Sequence, residues 1–126
     1  MPQTPAPTTA SVPVSGTDLT LRLGAYEAHI ASVGASLRAL TVDGRDLVVP
    51  FAADEVRPGY RGATLAPWPN RVVDGAYSFG GHTHELALSD IGRPNALHGL
   101  AVWLDFAVVD RTEDAVTLAA VIVPQS

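Results

Sequence analysis

The sequence predicts an all-β domain built from antiparallel sheets packed face to face, on three observations. Apolar and polar residues alternate at period two through "DLTLRL" and through parts of "YEAHIASV" and "LRALTV", so one side of each segment turns toward a core. No segment carries an apolar stripe at 3.6-residue spacing, and "ADEVR" at 53–57 has room for one helical turn at most. Finally, 11 glycines and 10 prolines cut the chain into runs of strand length.

Taken in order, residues 1–16 are rich in Pro, Thr and Ser and read as a flexible tail, leaving 17–126 for the folded domain. The alternating segments begin at Asp18. Gly24-Ala25 and Asp43-Gly44 stand where hairpin turns belong. "DLVVPF" reads as a short strand ended by Pro50, and 52–64, with Pro58, Gly59 and Gly62, as a surface loop. Tyr77 and Phe79 share one face of a strand, and Leu86 and Leu88 share a face of the next. "LDFAVVD" continues the pattern. "AVTLAAVIV" at 115–123 is apolar on both faces, which suits a strand in the middle of a sandwich. A sandwich seldom ends on its most buried strand, because the sheet edge beyond would be bare. The sequence therefore reads as cut short.

Composition narrows the function. A chain of 126 residues, 47% apolar and 17% charged, is globular and one domain in size. A net charge of −5 argues against a nucleic-acid partner, since phosphate binding needs a cationic surface. All eight basic residues are Arg. The absence of Cys rules out disulfides and thiolate metal sites. The N-terminus has neither a basic region nor an apolar run, and no apolar stretch reaches the ~18 residues of a membrane span. The expectation is a cytoplasmic protein with no membrane partner.

Two stretches carry candidate chemistry. In "LAPWPNRVVDGAYSF" (65–79), Pro67 and Pro69 each fix φ near −65° and hold the preceding residue extended. Asn70 and Arg71 thus emerge from a stiff segment with little freedom to lose on binding. Asn donates and accepts, and Arg offers a planar fork of donors, a mixture that suits neutral hydroxyls better than a lone phosphate. Trp68 either stacks on a sugar ring or packs the loop against the core. Arg71 either binds a ligand or pairs with Asp74. In "GRPNALHGL" (92–100), His98 is set among small and turn-forming residues, and histidine is the side-chain type suited to giving or taking a proton near neutrality. It is a proton donor or acceptor, or a loop histidine capping carbonyls. His82 and His84 share a strand face without a third ligand, so they read as solvated surface and no metal is expected; His29 reads as structural.

Together, "GATLAPWPNRVVDGAYSFGGHTHELALSDIGRPNALHGL" (62–100) resembles the N-terminal part of the aldose 1-epimerase (galactose mutarotase-like) family. The matching pieces are Asn70-Arg71-Val72, Gly75 to Gly81, "ELAL", and Asn95-Ala96-Leu97-His98-Gly99. The Pro-Trp-Pro lead and "HGL" ending look like a bacterial subgroup. The resemblance extends more weakly to "GASLRALTVDGRDLVVPF" and covers nearly everything after residue 18. It implies a mutarotase-like β-sandwich that interconverts the α and β anomers of a free aldose by acid/base ring opening, without a cofactor. It further implies that Asn70 and Arg71 contact substrate hydroxyls and that His98 assists near the ring oxygen. The family's base is a late glutamate and its main acid a second histidine. Neither has a match within these 126 residues, so the chain alone is expected to be inactive. The alternative is a non-catalytic carbohydrate-binding module using the same surface.

Overall fold

The computed structural model describes residues 11–124. The chain is all-β, with a single 3₁₀ turn at Pro58–Tyr60 as its only helical element among the described residues. No helix there is long and apolar enough to cross a membrane.

Strands β1 (Asp18–Leu23), β2 (Tyr26–Ala31), β3 (Ser36–Val42) and β4 (Arg45–Asp46) form one antiparallel meander. Both expected turns are there. Leu23 pairs with Tyr26 around Gly24-Ala25, and Val42 pairs with Arg45 around Asp43-Gly44. Asp43 and Gly44 both have positive φ, 49° and 73°, as a two-residue hairpin that follows strand twist requires. A bulge between His29 and Ile30 shifts the β2–β3 register. His29 is structural, as expected: Nδ1 faces Thr20 and Asp18, and Nε2 meets Glu27 at 2.8 Å.

"DLVVPF" does not form the expected strand. After β4 the chain runs beside β3 with only irregular bonds, from Leu47 N–H to Leu40 O and from Phe51 N–H to Arg38 O. Pro50 has no N–H to continue a ladder. The 52–64 segment is a loop as expected, and "ADEVR" forms no helix. Of the expected 1–16 tail, residues 1–10 lie outside the described residues. Its end is packed: Ser15 is buried, its N–H on Ala53 O and its Oγ on Glu55 O.

Three two-stranded ladders follow. β5 (Arg71–Val73) pairs with β8 (Asn95–Leu97), β6 (Ala76–Phe79) with β7 (His82–Glu85), and β9 (Ala107–Arg111) with β10 (Val116–Ala119). β7 stops short of Leu86 and Leu88. Leu86 still donates to Gly75 O, but Leu88 lies exposed beyond the pairing. The expected buried strand at 115–123 is corrected more sharply. Only Val116–Ala119 is strand, its only ladder partner among the described residues is β9, and Val121, Ile122 and Val123 are exposed. Val116 and Leu118 are half-buried, and Ile122 and Val123 line a cavity with Leu86 and Leu100, but none of the segment reaches the core.

The core is small: Leu19, Ala31, Ala39, Phe51, Ala96, Leu97, Ala101 and Val102. Its polar hub is Ser32, 2% exposed, whose Oγ accepts the Thr17 N–H and donates to Asp105. The Val33–Asp105 bridge lies beside it, and Arg22 N–H to Glu113 O and Arg111 to Thr20 O dock the β9–β10 hairpin against β1. This frame fixes the segments that flank β5 and β8, where the candidate residues sit.

Candidate functional site

The β5–β8 ladder ends at the Arg71–Leu97 pair, and the next residue outward on each strand is a candidate: Asn70 and His98. Both adopt left-handed φ, 63° and 60°, which Asn and His tolerate better than most residues. They bond reciprocally. His98 N–H donates to Asn70 O at 2.8 Å, and Asn70 N–H donates to His98 Nδ1 at 2.9 Å. Because Nδ1 is the acceptor, the neutral ring carries its hydrogen on Nε2 and presents a donor there.

The following residue explains the "HG" of the motif. Gly99 is buried with φ 77°, and a Cβ there would collide with the carbonyl of Ala66. That oxygen accepts from both Leu100 N–H (2.7 Å) and Ala101 N–H (3.1 Å), so the strand must pass close to it. The Ala66–Pro67 peptide is cis. The Pro-Trp-Pro segment is thus pinned directly to the histidine segment.

Arg71 binds a carboxylate, but not Asp74. Its Nε donates to Asp90 Oδ2 at 2.8 Å and its Nη1 to Asn70 Oδ1 at 3.4 Å. Asp90 Oδ2 also accepts from Asn95 Nδ2 at 3.0 Å. The hydrogen bond from Asn95, and then that from Arg71, hold the Asp90 carboxyl below its ordinary pKa. Asn95 builds the loop as well, its carbonyl accepting from Ser89 N–H and Asp90 N–H.

Asn70, Arg71 and His98 therefore come together, with Asn70 touching both of the others. Trp68 does not join them. Its indole N–H bonds Ala96 O, and it lines an apolar pocket with Val72, Tyr77, Leu86 and Leu100. Val72 faces opposite Arg71 by strand alternation, so Trp68 serves the other side of the ladder. His82 and His84 lie on exposed β7, where His84 stacks on Tyr77 at 5.1 Å. No group of three or more His, Cys, Asp or Glu lies together among the described residues.

Four contributors were not singled out in the sequence. Asp90 is a polar loop residue whose partner Arg71 lies 19 positions away, so local pattern gave no signal; Asn95, in β8 and five positions from Asp90, was read only as a letter of the matched motif, not as a support for the site. Tyr60 brings its ring edge to His98, centroids 4.7 Å apart, from a positive φ of 57°. Arg57 secures that loop. It is buried, bonds Ser36 Oγ and Val102 O at 2.8 Å each, and lies 4.7 Å from the Trp103 ring. Burial pushes its pKa down, and Tyr60 opposes that shift. The "DEVRPGY" text looks like any charged loop, and only the fold shows that its arginine points inward.

The site is a cluster of donors on a rigid strand end: a fixed imidazole N–H, a guanidinium and an amide. Such a cluster suits an oxygen-rich neutral ligand. The comparisons with known proteins agree with the architecture. The family model for aldose 1-epimerase matches residues 17–126. YihR of Escherichia coli (strain K12), itself uncharacterized, is 37% identical over 110 residues, which are 87% of this chain and 36% of YihR. A putative aldose 1-epimerase from Escherichia coli K12 superposes with a TM-score of 0.71 at 22% identity, over 81% of this chain and 35% of that one. A GalM/aldose epimerase homologue from C. elegans gives 0.67 at 20% identity, over 82% and 36%. The fold is that of the galactose mutarotase-like β-sandwich proteins, of which this chain spans about a third of the length. The chain belongs to the aldose 1-epimerase family.

Proposed function

We propose that this chain provides the sugar-holding and ring-oxygen side of an aldose 1-epimerase site. The observation that carries the reading is the reciprocal Asn70–His98 bond, which leaves Nε2–H of the histidine as a fixed donor beside Arg71. Anomer exchange opens and recloses the ring. A base takes the proton of the anomeric hydroxyl, that oxygen's electron pair forms the carbonyl, and the bond from the anomeric carbon to the ring oxygen breaks. The ring oxygen leaves with the electron pair of that broken bond and takes a proton from an acid. His98 donates a hydrogen bond to the ring oxygen as its charge grows, while Asn70 and Arg71 hold neighbouring hydroxyls. Because prolines and the β5–β8 ladder preorganise these groups, little freedom is lost on binding. By the family resemblance, the principal base and acid are a glutamate and a second histidine that match no position here. His98 thus assists them.

The test is a titration of ¹⁵N-labelled protein with a free aldose such as galactose or glucose, following the His98 ring nitrogens. Binding is expected to shift the Nε2 resonance while Nδ1 keeps the signature of an unprotonated acceptor. An Nε2 signal unmoved by any aldose at concentrations up to tens of millimolar would sink the reading.

A further inference from the structure

We propose that Asp90 is the positioning residue for Arg71, setting the guanidinium so that its outer N–H groups face the substrate; this rests on the sugar-site reading above. The guanidinium has five N–H donors in a rigid plane. One, on Nε, goes to Asp90 Oδ2 at 2.8 Å, and one, on Nη1, lies 3.4 Å from Asn70 Oδ1. The other three have no partner among the described residues. A planar fork anchored at Nε has its direction fixed, so those three N–H groups form a preset edge next to Asn70 and His98.

The anchor is itself anchored. The Asp90 side chain is only 10% exposed against 41% for Arg71, so the carboxylate is the packed member and the arginine the presented one. Asn95 Nδ2 holds the same Oδ2 at 3.0 Å, and the Asn95 carbonyl accepts both Ser89 N–H and Asp90 N–H. Asn95 also lies in β8, three residues before His98. A single strand therefore sets His98 directly and Arg71 through Asp90. A simple surface ion pair would instead leave both partners exposed and mobile.

The test is a graded series read in two ways. Asp90→Asn keeps an oxygen acceptor but loses the charge, and Asp90→Ala loses both. The first readout, independent of any sugar, is water exchange of the Arg71 Nε–H by ¹⁵N NMR. It is expected to quicken modestly in Asp90→Asn and about tenfold or more in Asp90→Ala, with β1–β3 amide shifts unchanged to certify the fold. The second is galactose affinity. Asp90→Ala should lose about as much as Arg71→Ala, on the order of tenfold, and the double variant no more than Arg71→Ala alone. Full wild-type affinity in folded Asp90→Ala would overturn the positioning role, as would simple additivity in the double variant. Should the wild type bind no aldose while its Nε–H stays protected, the sugar-site reading fails and the Asp90–Arg71 pair is structural only. That outcome is distinct from a failed Asp90 series in a protein that does bind.

Discussion

At His98, one backbone N–H decides which ring nitrogen faces outward, and that choice separates its role from that of Arg71. On the proposed reading, Arg71 holds hydroxyls in ground and transition states alike, whereas His98 faces an oxygen whose charge changes during reaction. In the catalytically competent protein, Arg71→Ala is expected chiefly to raise KM, and His98→Asn to lower kcat by ~10²-fold or more if it shares in proton transfer. His82→Ala and His84→Ala, on the exposed face of β7, should change neither constant. Polarimetry on folded variants with one sugar at one pH checks this, and wild-type turnover in His98→Asn would remove it from the site. Asp90 adds a pH signature. Its carboxyl lies below the ordinary value of 3.8 because Asn95 and Arg71 bond it, with Arg93 adding a smaller attraction. A depressed acid contributes stability that is present above the unfolded-state value and lost as pH falls through the native one. The urea midpoints of wild type and Asp90→Asn should therefore differ at pH 6 and draw together only as the pH falls through the lowered native-state value, below the ordinary carboxylate range; a gap that persists once the carboxyl is protonated would mean the carboxylate's charge is not what stabilises. Residue identity was the legible part here. "PWPNR" and "NALHG" marked Asn70, Arg71 and His98, which the fold brings together, but Asp90 became visible only once β5 and β8 were paired.

Among the elements, turns were easier to read than strands. Asp43-Gly44 and Gly24-Ala25 announce hairpins because few residues accept positive φ, so the chemistry of the turn lies in its own letters. Strand extents depend on a partner elsewhere. "DLVVPF" has strand-like letters but finds only two irregular bonds along β3, and "HTHE" forms β7 while the more apolar Leu86 and Leu88 fall outside it. Trp68 shows the same limit: its letters allow a stacking face, and the side of the ladder it serves follows from pairing. Ser32 is the clearest test of how elements are tied. It joins the entry to β1, the end of β2 and the approach to β9 through bonds of 2.8 Å from Thr17 N–H and 2.6 Å to Asp105. Ser32→Ala leaves a backbone N–H and a carboxylate oxygen short of a partner in a site 2% exposed. The expected loss is roughly 1–3 kcal/mol by chemical denaturation. A loss under ~0.5 kcal/mol would show that water or a shifted Asp105 replaces the hydroxyl.

For the molecule as a whole, the balance of buried and exposed apolar surface decides its behaviour. Eight apolar side chains form the core, none of them larger than Phe51, while Val108, Val109, Val121, Ile122 and Val123 stand open on and beyond the β9–β10 hairpin. The outer edge of β10 has no ladder partner among the described residues. An unpaired strand edge bordered by apolar side chains is a template for pairing with another chain. The 126-residue chain studied alone is thus expected to associate in a concentration-dependent way and, on the proposed reading in which His98 only assists a base that matches no position here, to show no mutarotation above buffer. Val121→Lys with Val123→Lys separates the two expectations. Both positions are well exposed, at 80% and 69%, so charge there costs the fold little but opposes edge pairing. Sedimentation velocity across a tenfold concentration range should show association in the parent and a shift toward monomer in the double variant, with polarimetric rates at the buffer level for both. A parent chain that stays monomeric throughout would show that the open face is covered by its own residues. Catalysis by that monomer would mean that the base lies within these 126 residues and that the carry-over of roles to His98 needs redrawing.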